Sequence, residues 1–118
     1  MDETRDPDCL FCSIVAGDIP ADVVARSEHT LAFRDINPQA PTHVLVVPTT
    51  HHRTAAALAA ALPEAAAEVL TQCQVVAEQE GYPDAYVLMF FTGAEAGQSV
   101  FHAHAHVLAG RRLTLPPG

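Results

Sequence analysis

Three histidines at alternate positions constrain this chain more tightly than any other feature of its sequence. His102, His104 and His106 are separated by single alanines and lie among apolar, β-branched and aromatic residues. This pattern predicts a β-strand from about Val100 to Leu108. Because side chains in a strand alternate between its two faces, the three imidazoles are expected to share one face. The opposite, core-facing side is expected to carry Phe101, Ala103, Ala105 and Val107.

The spacing of the three histidines leaves three interpretations open. On a regular strand the outer two lie roughly 13 Å apart, so a metal ion with bonds of about 2 Å can bind a pair but not all three. The second interpretation is a histidine nucleophile or acid–base group held between two neighbours that bind a substrate. The third is a solvated, histidine-rich surface strand. The spacing favours a functional stretch without choosing between metal binding and catalysis.

Length, composition and charge limit the classes of protein to which the chain can belong. Its 118 residues, 49% of them hydrophobic, predict a single domain over 1–118, with the charged residues 1–8 disordered. A formal net charge of −8 argues against binding to nucleic acid or to an anionic membrane. The chain has no apolar run of about 18 residues that could span a membrane. An acidic start without a signal-peptide core, and an odd number of cysteines, predict a cytoplasmic protein without a disulfide framework.

A second candidate site lies near the N-terminus. Cys9 and Cys12 are three residues apart in a short predicted helix that ends at Gly17. Two thiolates at this spacing can bind one zinc ion, with two further ligands from elsewhere in the chain. A redox pair normally follows a strand in a βαβ unit, which is absent here, and two buried thiols without a ligand are the simplest alternative. His51 and His52, just after a strongly apolar strand, are either a source of a third zinc ligand or exposed loop residues.

The remaining hydrophobic patterns predict four further strands and two further helices. A short helix is expected over about 54–62 and a long one from Pro63 to about Glu80, because proline suits a first helical turn and Gly81 a helix end. Cys73 falls on the apolar stripe of the long helix and is expected to be a core thiol. The strands are expected at 22–25, 30–34, 43–48 and 86–91.

Several polar residues at strand ends are candidates for ligand binding. Asp35, just past a strand, is either a turn-former or a carboxylate for two ribose hydroxyls, and its position favours the turn. His43 is expected to be a satisfied, half-buried histidine. The glycine-rich loop at 92–97 leads into Gln98 and Ser99, so backbone N–H groups, an amide and a hydroxyl are available to hold phosphate oxygens.

The stretch from Gly97 to Val107 resembles the signature of the histidine-triad (HIT) superfamily, His-x-His-x-His followed by an apolar residue. The similarity extends over nearly the whole chain from Cys9. The tail Gly110–Gly118 resembles the ending of the Hint branch, the nucleoside phosphoramidate hydrolases, in their zinc-bearing bacterial form. The other matching segments are Cys9–Cys12, Gly17–Pro20, Leu31–His43, and Val46–Pro48 with His51.

The resemblance implies an α+β fold and a two-step reaction. The fold would be a five-stranded antiparallel sheet with one long and one or two short helices, dimerising into a continuous ten-stranded sheet. The reaction would be hydrolysis of a purine nucleoside phosphoramidate. His104 would attack the α-phosphorus and release the amine, and water would then hydrolyse the nucleotidyl-histidine.

The resemblance also assigns roles to residues. Asp35 would bind the ribose hydroxyls, and Arg34 would flank the base pocket. The phosphate oxygens would be held by Gly97, Gln98, Ser99 and His106. The base pocket would be lined by Leu10, Phe11, Ile14, Phe33 and Ile36. A structural zinc ion would be bound by Cys9, Cys12, His51 and His102.

Two departures from the family pattern bear on the substrate. Phe91 stands where Hint proteins usually have asparagine, which removes or moves a polar contact on the phosphate side. Leu115 stands where many animal relatives have a tryptophan that reaches the partner's active site. Three alternative functions stay open: a HIT dinucleotide hydrolase or nucleotidyl transferase, a nucleotide-binding or partner-binding module with weak catalysis, and a small zinc protein whose histidines bind only metal.

Overall fold

A five-stranded antiparallel sheet forms the centre of the molecule. The computed structural model describes residues 5–113, and in it the strands follow the order β1-β2-β3-β5-β4. The strands are β1 Val23–Arg26, β2 Thr30–Arg34, β3 Thr42–Pro48, β4 Val87–Met89 and β5 Ala105–Ala109. The helices are α1 Leu10–Val15, α2 Ala55–Ala61 and α3 Pro63–Gln79. The predicted α+β class, with one long and two short helices, is confirmed.

The central strand and the long helix follow from their local sequences. All seven residues of β3 are buried, which explains why its sequence is continuously apolar from Val44 to Pro48 instead of alternating. Helix α3 begins with Pro63 in its first turn, where a missing N–H costs nothing, and Glu64 faces the positive end of the helix dipole. Its buried stripe consists of Ala65, Val69, Cys73, Val76 and Ala77, which confirms Cys73 as a core thiol.

The two faces of the sheet carry separate cores. Helices α2 and α3 cover one face, where Leu58 and Val69 pack on Val44 and Val107. Helix α1 lies over the other face and contributes a core made of Cys9, Phe11, Cys12, Leu31, Phe33, Leu45 and Val47. Because neighbouring residues of a strand point to opposite faces, β3 supplies both cores, whereas β5 supplies Ala105 and Val107 to the first core and His106 to the α1 side.

The predicted strand at Val100–Leu108 is shorter and later in the structure. The ladder with β3 begins only at Ala105, because the N–H of Ala103 donates to the carbonyl of His52 in a loop, at 2.7 Å. The strand predicted over 86–91 is likewise reduced to Val87–Met89. The alternation of side chains nevertheless holds, with Ala103 and Ala105 in the α2/α3 core. Phe101 does not join them: it is half-buried, and the guanidinium carbon of Arg53 lies 4.3 Å above its ring centroid.

The two ends of the chain are described in part. Arg5 donates to Asp18 at 2.7 Å, and the carbonyl of Asp6 accepts from the N–H of Cys9 at 3.1 Å. Residues 1–4 of the segment predicted to be disordered lie outside the described residues, as do Leu115 and most of the tail that resembles the Hint branch. Between residues 5 and 113, none of the helices has the length and apolar character needed to cross a membrane.

Candidate functional site

A cavity of about 580 Å³ opens on the α1 side of the sheet. Its walls are mainly apolar, and His104, His106 and Ser99 bring polar groups into it. A few convergent polar groups in an apolar concavity are typical of a small-molecule site. The lining residues are Leu10, Phe11, Ile14, Ile19, Pro20, Ala21, Asp22, Phe33, Arg34, Asp35, Ile36, Leu45, Ser99, Val100, His104 and His106.

The middle histidine of the triad presents a free nitrogen lone pair. Its Nδ1 lies 2.7 Å from the carbonyl oxygen of His102, so Nδ1 carries the proton and donates, which leaves the lone pair of neutral His104 on Nε2. The ring of Phe11 stands edge-on at 4.9 Å between centroids and holds the imidazole in place. Burial lowers the pKa of His104, so the ring is neutral and nucleophilic at pH 7.

The third histidine of the triad, His106, presents a proton where His104 presents a lone pair. A chain of hydrogen bonds determines which of its ring nitrogens carries that proton. The N–H of Gln39 donates to Nδ1 of His43 at 3.0 Å, so the proton of neutral His43 must be on Nε2. That Nε2 lies 3.1 Å from Nδ1 of His106 and 3.5 Å from a carboxylate oxygen of Asp35. His43 therefore donates to His106, whose own proton is then on Nε2. Among the described residues, this Nε2 is the one buried side-chain polar atom without a hydrogen-bond partner.

The histidine pair at this end of the cavity is neutral at pH 7. Burial, followed by the nearby His104 and His43, lowers the pKa of His106 to about 4. Burial also lowers the pKa of His43, and the charge of Asp35 opposes that shift. Asp35, His43 and His106 are close enough together to suggest a metal site. Yet the Gln39 N–H occupies one nitrogen of His43 and forces a proton onto the other, so His43 has no lone pair left for a metal ion.

A separate cluster of thiols and imidazoles lies beneath α1. Cys12 Sγ is 3.5 Å from Nδ1 of His51 and 3.5 Å from Nδ1 of His102, and Cys9 Sγ is 3.4 Å from the same His102 nitrogen. Ligands bonded at 2.0–2.3 Å to one tetrahedral ion are roughly 3.3–3.8 Å apart, so the four residues fit zinc. Nε2 of His102 donates to the Pro48 carbonyl at 2.9 Å, which leaves its Nδ1 lone pair directed at the thiols.

The Cys12 thiol of this cluster is protonated at pH 7. Burial raises the pKa of Cys12 to about 11. A zinc ion therefore has to displace protons when it binds, and its affinity should fall as the pH falls. His52 does not take part, because its Nε2 lies 2.8 Å from the Thr50 hydroxyl and its carbonyl accepts from Ala103. Of the two adjacent histidines, His51 is thus the one beside the cysteines.

Comparison with known proteins places this architecture in a family. The family model of the HIT domain matches residues 16–113. The chain belongs to the HIT family. The HIT family hydrolase of Legionella pneumophila Philadelphia 1 has 44% sequence identity and a TM-score of 0.89, with 94% of this chain and 100% of that chain covered.

Two sequence relatives carry more specific names. The purine nucleoside phosphoramidase of Escherichia coli strain K12 is 40% identical over 105 residues, 88% of this HIT protein and 88% of the relative. The 14 kDa zinc-binding protein of Zea mays is 41% identical over 115 residues, with 96% and 90% covered.

The residues predicted for the base pocket of this HIT protein all line the cavity. Asp35, which was predicted to bind the ribose hydroxyls, also lines the cavity. Its Oδ1 accepts from the Asn37 N–H at 2.8 Å, so the turn and the ligand interpretations are compatible. Ile36 is fully exposed at the rim. Arg34 is engaged by Glu80, with its two terminal nitrogens 2.7 and 3.0 Å from the carboxylate oxygens.

The loop predicted to hold phosphate is built differently at Gln98. Its amide nitrogen donates to the carbonyls of Arg53 and Val100 at 2.8 and 3.1 Å, and its amide oxygen accepts from the Gly93 N–H at 2.8 Å. All three contacts are to backbone, so Gln98 braces the loop, and its assignment to phosphate stays a prediction. Gly97 has φ of +105°, a left-handed conformation that favours glycine. Ser99 lines the cavity.

Sequence reasoning missed three features of the site. The sequence predicted only a hydrogen-bonded, half-buried His43. Its alternate position with Leu45 on β3 is the signal that places both residues on the cavity face. Residues 21–22 gave no signal, because they belong to no motif or periodic pattern, and Ile19 and Pro20 belong to a matching segment to which no role in the site was assigned. Phe91 packs on the ring of His106, with centroids 5.1 Å apart, so an aromatic ring supports the histidine from behind.

Proposed function

We propose that this HIT protein hydrolyses purine nucleoside phosphoramidates. One observation carries the proposal: a bare imidazole nitrogen on His104 and an imidazole N–H on His106 project from adjacent alternate positions into one apolar cavity, with the ring centroids 4.9 Å apart. A nucleophile beside a hydrogen-bond donor is the arrangement that displacement at phosphorus needs. The name of the Escherichia coli relative supports the same substrate class.

The chemistry proceeds in two steps at His104. Its Nε2 attacks the α-phosphorus and forms a P–N bond, and the amine leaves with the electron pair of the original P–N bond and takes up one proton from solvent. His106 Nε2–H donates to a phosphate oxygen and stabilises the charge that develops there. Water then attacks the phosphorus and forms a P–O bond, the electron pair of the P–Nε2 bond returns to His104, and the water releases one proton to solvent. The Nδ1 hydrogen bond of His104 to the His102 carbonyl keeps the attacking nitrogen oriented throughout.

The rest of the cavity would hold the nucleoside. The carboxylate of Asp35 would accept from the ribose hydroxyls, and the aromatic and aliphatic walls would enclose the base. Ser99 would add a hydroxyl and Gly97 a backbone N–H on the phosphate side, with Gln98 fixing the loop that carries them.

The zinc ion in this proposal is structural. Cys9, Cys12, His51 and His102 would supply all four ligands, so the ion has no open position for substrate. It would tie α1, which lines the base end of the cavity, to the segment that carries the triad. We expect one zinc per chain by elemental analysis of the purified protein, and loss of that zinc with Cys12→Ser.

The proposal includes a homodimer. The three-residue strand β4 lies at one edge of the sheet, and pairing of two such edges would make the ten-stranded sheet that the family resemblance implies. Sedimentation equilibrium tests this point, with twice the chain mass expected. The predicted cytoplasmic location stays a prediction.

The experiment that tests the activity compares turnover of adenosine 5′-phosphoramidate by the parent protein, His104→Ala and His29→Ala. The parent should release AMP, and His104→Ala should lose several orders of magnitude in kcat because the nucleophile is gone. His29 does not line the cavity and lies in the β1–β2 turn against Glu68, so its variant controls for loss of an imidazole as such. Equal turnover by His104→Ala and parent would refute the assignment of the nucleophile.

A second candidate function is favoured by the ring of Phe91 against His106. An apolar group here offers no hydrogen bond to a phosphate, which suits a nucleotide-binding module with weak catalysis. Tight binding of AMP by the parent without release of AMP from the phosphoramidate would favour this function over hydrolysis. Substitution Phe91→Asn would then be expected to raise turnover.

A further inference from the structure

The cavity has a charged end to which the proposed function gives no role. Its lining crosses the sheet in strand order, from His104 and His106 through Leu45 on β3 and Arg34 on β2 to Asp22, the residue before β1. Neighbouring strands are about 4.8 Å apart, so Asp22 lies roughly 14 Å from the histidine end. A ligand that reaches from the triad across the cavity therefore ends beside Asp22 and Arg34.

The proposed function determines which part of the ligand lies beside Asp22 and Arg34, and the inference rests on the proposed function for this assignment. With the phosphate at His104 and the ribose at Asp35, just past the end of β2, the purine base extends onward toward β1. The apolar lining accounts for the faces of the base. Its hydrogen-bonding edge is left to the charged pair of Asp22 and Arg34.

This charged pair is held in place by its surroundings. The Arg34 guanidinium donates end-on to Glu80, and its Nε is 3.5 Å from Oδ2 of Asp22. The backbone is fixed too, because the Arg34 N–H donates to the Asp22 carbonyl at 2.9 Å. The Asp22 side chain is 72% exposed, and a carboxylate accepts about four hydrogen bonds, so it can still accept from a ligand. Of the five N–H groups of Arg34, two are left over for an acceptor on the base.

We infer that Asp22 makes this cavity select guanine over adenine. Guanine carries N1–H and N2–H₂ side by side, and a carboxylate can accept from both in parallel. Its O6 lies next to N1 and would face the free N–H groups of Arg34. Adenine has one amino group, at N6, and an acceptor at N1 that a carboxylate repels. The charged pair would therefore make three hydrogen bonds with the edge of guanine, two of them to the carboxylate. With the edge of adenine it would make at most two, of which one is to the carboxylate.

Calorimetric titration with GMP, IMP and AMP tests the inference on the parent protein, Asp22→Asn and Asp84→Asn. The parent should bind GMP about tenfold more tightly than AMP, the scale of one charge-assisted hydrogen bond at an exposed group. IMP, which keeps N1–H and O6 but lacks the N2 amino group, should lie between them. In Asp22→Asn the GMP-to-AMP affinity ratio should fall toward one, because an amide offers one acceptor and one donor.

Asp84→Asn makes the same change of charge at an exposed residue that does not line the cavity, and it should keep the parent ratio. AMP binding by Asp22→Asn shows that this variant is folded. Equal affinity of the parent for GMP and AMP, or an unchanged ratio in Asp22→Asn, overturns the inference. Binding is measured without turnover, so absence of phosphoramidate cleavage refutes the hydrolase while the base preference is still decided. If none of the three nucleotides binds, the nucleotide site and the guanine preference both fail.

Discussion

The two faces of the sheet use the same strands for different purposes. On the α2/α3 face, Val44 and Val107 meet an all-apolar layer. On the α1 face the neighbouring residues His43 and His106 form a hydrogen-bonded pair at the end of a cavity. Adjacent positions in β3 and β5 thus differ completely in environment because side chains alternate. Substitutions on the α2/α3 face should therefore change the stability of the fold, whereas substitutions on the α1 face should change the chemistry of the site.

The charged groups near the two faces also differ in how the protein shifts them. On the α1 face, burial lowers the pKa of His43, His104 and His106. At the margin of the α2/α3 face, a hydrogen bond that His29 in the β1–β2 turn donates to Glu68 on α3 raises the pKa of His29. The two faces should therefore respond to pH in opposite directions.

The largest effect on the α2/α3 face is expected from Leu58→Ala. Leu58 is 1% exposed and packs in the all-apolar core, so truncation removes buried apolar area and leaves a cavity. The free energy of unfolding should fall by about 3 kcal/mol, measured by urea titration. Turnover per folded molecule should stay at the parent value. Leu58→Met is the matched control and should cost less than about 1.5 kcal/mol. A selective loss of kcat in Leu58→Ala would break the division between the faces.

The α1 face should respond in the opposite way to His43→Ala. Removal of this imidazole deletes the donor that fixes the proton of His106, so kcat should fall about a hundredfold, the lower end of the range for acid–base groups. The measurement is steady-state turnover of adenosine 5′-phosphoramidate, with thermal unfolding in parallel. His43→Gln keeps an N–H donor and should recover part of the loss. A variant as active as the parent would show that the hydrogen-bond chain through His43 is dispensable.

Acid should destabilise the protein through the α1 face. The pKa of His106 is about 4 in the folded protein and near 6.5 when unfolded, so the unfolded chain binds the extra proton first. This contribution to stability is present above pH 6.5 and is lost as the pH falls toward 4. Thermal midpoints between pH 7.5 and 4.5 should decline, and His106→Gln should have the shallower decline. Parallel curves for the two proteins would mean that His106 does not stay neutral in the folded state.

The smallest effect, with the opposite sign, is expected from His29→Ala. The raised pKa of His29 means that its contact with Glu68, 2.8 Å from Nδ1 to the carboxylate, stabilises the fold below pH 6.5. That contribution is lost as the pH rises through the folded-state pKa. Thermal midpoints of the variant and the parent should differ slightly at pH 6 and coincide by pH 8.5. A difference that grows with pH would contradict the assignment.

Local sequence rules found most of the elements but set some of their ends wrongly. Proline at the start of α3 and its apolar spacing are local signals, and the helix lies at Pro63–Gln79 as the pattern predicts. The triad strand was placed from about Val100, whereas its ladder begins at Ala105. Its start depends on a hydrogen bond from Ala103 to His52, far away in the chain, which no local pattern encodes.

The site divides in the same manner. The sequence by itself determined which side chains share a face, since alternation in a strand is a property of the local backbone. It also contains the thiols and imidazoles whose chemistry suits a zinc ligand set. Only the tertiary structure decided which ring nitrogen carries the proton in the imidazoles of the cavity face. His43 lies next to His106 because β3 pairs with β5, and Asp22 reaches the cavity because β1 pairs with β2. Proton positions and pocket walls depend on partners distant in sequence, and strand pairing, which is non-local, brings those partners together.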